Sequence, residues 1–187
     1  MVNRLQINRA PVLTLWAAVV AERLGYDHDA ALTLGKAVAG LNAQSKGRSL
    51  GIFGEPKDRE QGKEPRERLA GERLTVPMLG RQVPAVQTEQ GIRATDKDQP
   101  IDPRNVERYL EQKLGANLAE VQAAMQALAR AYTPDALQAL AYALYERFRP
   151  AIPAGKVGWG AAGELDLERI RSLARGNATA DTPRRLT

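Results

Sequence analysis

The chain contains no cysteine, which excludes disulfides, zinc–thiolate sites, iron–sulfur clusters and thiol catalysis. It has a single histidine, His28, so imidazole-rich metal sites are ruled out and a serine–histidine–aspartate machine would depend on that residue alone. No metal, cofactor or catalytic residue is therefore expected. Long apolar runs are also missing, since nothing approaches the ~18 consecutive apolar residues of a membrane span. Arg4 and Arg9 ahead of an apolar run resemble a signal peptide, but the run breaks at Glu22 and Arg23 without a small-residue cleavage site. The cytoplasm is the expected address, with no membrane partner. A strong excess of one charge is lacking too: 27 Lys and Arg stand against 22 Asp and Glu, a net +5 that permits polyanion binding without requiring it.

What is present is ordinary globular material, 43% apolar and 26% charged over 187 residues, enough for one domain with at most a small extension. The longest core-forming stretch runs from Pro11 to Lys46. Val12, Leu13, Leu15, Trp16, Val19, Val20 and Leu24 surround one helix, which reads as buried on several sides. Gly25 and Tyr26 interrupt it, Asp27 is a good N-cap, and a second helix follows from about His28 to Ser45. On that helix Ala31, Gly35 and Ala39 recur every four residues, a smooth stripe where another helix can come close. The first helix has more apolar sides than one hairpin partner covers, which raises self-association.

Ala21, Gly25, Ala31 and Leu34 also fall at helix-turn-helix spacings. Against a DNA reader, the start of the second helix offers Asp27, His28, Asp29 and Ala30, two of them anions where phosphate would lie. Residues 46–54 are basic and glycine-rich, but the lysine precedes the glycines and no phosphate-loop pattern results; a C-cap and turn with Leu50, Ile52 and Phe53 as a lid is the simpler reading. Residues 55–73 form a charged arm of nearly balanced sign.

Between residues 74 and 94, Val76 and Val86 flank a turn at Gly80 and Arg81, with Pro77 and Pro84 placing both arms at an edge. This order of elements raises a winged helix with Arg81 at the wing tip, a reading that the long stretch between the hairpin and these strands weighs against. Asp96 to Glu107 echoes a calcium loop, but Pro100 and Ile101 stand where a ligand and the turn glycine belong. Asp102 and Pro103 instead open a helix that stops at Gly115. Asn117 with Glu120 suggests a capping box for a helix through Ala131, and Thr133 with Pro134 opens another through Arg149.

Gly158 to Gly163 spells G-x-G-x-x-G ahead of a helical Leu165 to Ala174, yet prolines precede it where a dinucleotide site needs a buried strand. Trp159 reads as a plug between helices. Residues 177–187 read as a disordered tail.

The expected fold is mainly α: about six helices around the N-terminal hairpin, with a short β-hairpin-like segment near 74–94. Four stretches are distinguished, 1–54, 55–73, 74–176 and 177–187, within one globular domain. The function expected first is a non-enzymatic helical interaction protein that binds itself or a protein partner, with Trp16, Gly35, Tyr142, Tyr145 and Trp159 as groove or core residues. The alternative is a nucleic-acid-associated protein with Lys46, Arg48, Arg81 and Arg93 on one polyanion-binding face. An enzyme ranks third, because no spacing singles out an acid–base pair.

Overall fold

A computed structural model describes residues 3–49, 72–152 and 162–180. The architecture is mixed α/β, which corrects the mainly α expectation: two antiparallel sheets, one of two strands and one of four, pack with the helices. In chain order the elements are β1 (Arg4–Asn8), α1 (Arg9–Arg23), α2 (His28–Ser49), β2 (Arg73–Met78), β3 (Arg81–Thr88), β4 (Gly91–Asp96) and β5 (Gln99–Pro100). Then come α3 (Pro103–Leu114), a 3-10 turn (Gly115–Asn117), α4 (Leu118–Arg130), α5 (Pro134–Phe148), β6 (Ala162–Asp166) and α6 (Leu167–Ala180).

The α1–α2 hairpin is the centre of the molecule. Every residue from Pro11 to Ala21 is buried, because β1, α2, α3, α4 and α5 all pack on α1. The apolar sides that suggested self-association are thus covered within the chain. Gly25, at φ 109°, closes α1: the Tyr26 N–H donates to the Ala21 carbonyl at 3.1 Å and the Gly25 N–H to that of Glu22 at 3.0 Å, a Schellman cap that only a residue tolerant of positive φ accepts cheaply. Asp27 caps α2 as its side chain accepts from the Ala30 N–H at 2.8 Å. Gly35 marks the closest approach, since a Cβ there would stand 2.3 Å from the Thr14 carbonyl oxygen. α2 continues through Lys46, Gly47 and Arg48, so no turn begins at Gly47; the lid residues Leu50, Ile52 and Phe53 and the arm from 55 to 71 lie outside the described residues.

The four-stranded sheet is a meander, β2-β3-β4-β5. Val76, Met78, Val83, Ala85 and Ala94 on its strands are buried, and β4 packs on α2. A side-chain bond ties the two: Thr33 Oγ1 accepts from the Ala94 N–H at 3.0 Å while donating to the Ala30 carbonyl at 2.8 Å. The β2–β3 turn is not a wing. Leu79 in it is 4% exposed, and Arg81 beside it donates to Asn42 of α2 at 3.3 Å, so the turn lies against the hairpin. The calcium-loop echo is likewise a β-turn, in which Lys97 and Asp98 adopt φ 49° and 63° to link β4 and β5; two left-handed residues match the strand twist.

Sheet β1–β6 joins the two ends of the chain, with Leu5 opposite Leu165. It replaces the start of the helix expected at Leu165; α6 begins at Leu167, where Asp166 caps it by accepting from the Glu168 N–H at 3.0 Å. α6 reaches Ala180, into the stretch read as a tail, and residues 181–187 lie outside the description. Gly163, the last glycine of the G-x-G-x-x-G string, serves packing: a Cβ would meet the Ala151 carbonyl at 2.8 Å, where Ala151 and Glu164 exchange two 3.0 Å bonds. Asp102 caps α3, accepting from the Arg104 N–H, and Thr133 caps α5, accepting from Ala136 at 3.3 Å. Asn117 forms no side-chain cap, because the 3-10 turn places it in αR backbone and the capping box does not form. No helix among the described residues is long and apolar enough to cross a membrane.

Candidate docking cleft

Where the hairpin turn meets α3 and α4, four helices border a cleft. From α1 it takes Leu15, Ala18, Val19 and Glu22; from α2, His28 and Leu32; from α3, Glu107, Leu110 and Glu111; from α4, Leu118 and Gln122. The spacings are those of helix stripes: positions 15, 18, 19 and 22 share one face of α1, and 28/32, 107/111 and 118/122 are each one turn apart. Every stripe runs from apolar residues in the floor to polar ones at the rim. The hollow at its base measures about 70 Å³ and opens to solvent.

His28 and Glu22 close one end of the rim. His28 Nδ1 lies 2.6 Å from Glu22 Oε1, and since a carboxylate only accepts, Nδ1 carries the hydrogen. The His28 pKa is raised: its bond to Glu22 leads, partial burial opposes it, and the nearby charges of Glu22, Glu107 and Asp29 reinforce it. Across the cleft Glu107 and Glu111 are exposed. α3 is fastened to α2 by Lys36, whose ammonium stands 3.8 Å from the Tyr109 ring centroid; burial, and then Lys113, lower the pKa of that amine while Asp96 raises it.

The residues named from sequence whose side chains are described do not line this cleft. Trp16 is fully buried, its indole N–H donating to the Ala141 carbonyl at 2.9 Å and its ring edge-on to Phe148 at 5.3 Å. Tyr145 is buried beside Arg9, its hydroxyl donating to the Arg9 carbonyl at 3.5 Å, and burial pushes its phenol pKa well up. Tyr142 is half-buried at 6.0 Å from the Tyr145 ring, and Gly35 lies in the hairpin contact; these belong to the core or its margin and not to the cleft. Trp159 lies outside the described residues.

Of the four cations, the two whose side chains are described are Arg81 and Arg93. Arg93 is 8% exposed, donating to the Ile92 carbonyl at 2.9 Å with Asp29 at 3.8 Å. Arg81 is bonded to Asn42, one helical turn before Lys46; for Lys46 and Arg48 the description covers the helical backbone. A different basic hollow, not singled out from sequence, is bordered by Tyr132, Arg147, Arg169 and Ser172, where Arg169 Nε donates to the Arg147 carbonyl at 3.2 Å. No protein family, curated protein or solved structure matches this chain.

Proposed function

We propose that this protein is a non-enzymatic interaction module, acting in the cytoplasm, that docks a protein partner in the cleft between the α1–α2 hairpin and α3–α4. One observation supports the reading above others, the size of the cavity. Small-molecule sites usually enclose ~300–1,000 Å³, whereas this hollow holds about 70 Å³, room for one side chain of a larger partner. The His28–Glu22 pair gives the rim hydrogen-bonding capacity, and no hydroxyl or thiol side chain is among the residues lining the cleft.

The test is selection from a random peptide library on the full-length protein. Wild-type protein is expected to enrich a related set of sequences with micromolar affinity, and filling the cleft by Leu118→Trp should abolish their binding without loss of the folded far-ultraviolet spectrum. Enrichment that ignores this substitution, or no enrichment, would sink the reading.

A nucleic-acid role is the second reading, favoured by one observation: Arg147 and Arg169 are exposed and, among the described residues, neither is ion-paired. Each phosphate neutralised steepens the log–log salt dependence by ~0.9 on duplex DNA, so charge reversal of both arginines should flatten it by roughly 2. Titration of duplex DNA at several salt concentrations decides this, and an unchanged slope removes the hollow as a phosphate contact.

A further inference from the structure

The charged side chains bordering the cleft are three carboxylates and one histidine, an acidic excess in a chain whose net charge is positive. Glu22, Glu107 and Glu111 border it in a protein of net +5. Glu107 and Glu111 are four residues apart on α3, a spacing at which like charges repel, and among the described residues neither is ion-paired. A cation laid across them would remove that repulsion. The cavity below is apolar, floored by Leu15, Val19, Leu32 and Leu110. Its volume of about 70 Å³ is half of the ~150 Å³ apolar cavity that accepts benzene, so a branched aliphatic side chain fits it better than an aromatic ring.

We propose that the cleft captures a cationic segment of a partner protein, with a leucine, isoleucine or valine inserted in the cavity and flanking lysine or arginine side chains lying across Glu107 and Glu111. The inference rests on the docking reading above and adds the chemistry of the partner. An acidic segment meets three carboxylates, and a neutral one leaves Glu107 and Glu111 opposed.

His28 makes the capture pH-dependent. The groups facing it are Glu22 from α1, Asp29 from α2, Glu107 and Glu111 from α3, and the neutral Leu118 and Gln122 from α4, with Arg93 of β4 beyond Asp29 at 3.8 Å. As an imidazolium it neutralises one of three rim carboxylates and repels a cationic guest. Affinity therefore rises as pH climbs through the His28 pKa, which Glu22 holds above its ordinary value.

Four labelled peptides test this with the full-length protein: a leucine flanked by lysines, the same leucine flanked by glutamates, an alanine flanked by lysines, and a tryptophan flanked by lysines. Only the first is expected to bind well, the others being about tenfold weaker or more. Glu107→Gln with Glu111→Gln should weaken it by about tenfold with little change in the unfolding midpoint. Wild-type affinity should be higher in mildly alkaline than in mildly acidic buffer, a difference lost in His28→Gln. If the glutamate-flanked peptide binds as tightly and Leu118→Trp still blocks it, the cationic partner is overturned while the docking reading stands. If the lysine-flanked peptide binds but ignores Leu118→Trp, or no peptide binds, the proposal is overturned. In the second case the library selection decides whether the docking reading falls with it.

Discussion

His28 shows how differently one residue reads alone and in place. In the sequence it is the first residue after an N-cap, and beside Asp27 and Asp29 it counts against a DNA-contacting helix. In the fold, the tight turn at Gly25 brings Glu22 back to it at 2.6 Å. Its raised pKa has a definite sign for stability. Because the folded protein holds the proton more tightly than the unfolded chain, the stabilisation is fully present below the ordinary histidine pKa and is lost as pH rises through the raised value. As the chain has only this histidine, one imidazole resonance reports it by NMR. That resonance should titrate above the ordinary histidine value in the wild type and at lower pH in Glu22→Gln; an equal midpoint in both would break the link between the pair and the shift. Arg93 teaches the reverse lesson: a cation counted as available is buried against its own backbone and Asp29, and no pattern along β4 announces it.

At the scale of elements, the hairpin follows from local chemistry. Asp27 caps, Gly25 turns, and Gly35 lets α2 approach α1, each for a reason visible in residue type and spacing. Gly35→Ala should destabilise the protein by about 1–3 kcal/mol, because the added methyl overlaps the Thr14 carbonyl and the helices must separate. Denaturant unfolding measures this, and an unchanged midpoint would mean the helices do not cross there. The turn strands between 74 and 94 were legible as extended chain for the same kind of reason, β-branched residues around Gly80. Strands β1 and β6 were not. Each is five residues long, and Leu5 pairs with Leu165, so no turn signal links them and the short apolar alternation merges into the neighbouring helices. That pairing, together with the growth of the expected hairpin into a four-stranded meander, turns a mainly α expectation into a mixed α/β fold.

For the whole molecule, the decisive fact is that α1 is enclosed by its own chain. Pro11 to Ala21 are buried without a second copy, and among the described residues Leu140, at 43%, is the exposed large apolar side chain. A single exposed leucine is no interface. Sedimentation equilibrium should therefore find a monomer at tens of micromolar, and a dimer at that concentration would show that α1's neighbours open or that another surface associates.

The sequence by itself determined the class of chemistry and most local structure: without cysteine and with one histidine, thiol and imidazole-rich sites were excluded, and caps, glycines and helical stripes set the ends of α1, α3 and α5. Those are short-range matters, decided by residues within a turn or two of one another. The cleft was decided only in three dimensions. Its rim and floor come from four helices spread from Leu15 to Gln122, and each contributing stripe looks in isolation like an ordinary amphipathic face. Whether Glu107 and Glu111 point at solvent or across a cavity toward His28 depends on how α3 packs against the hairpin, and that packing is settled by long-range burial, which leaves no periodic mark in the sequence.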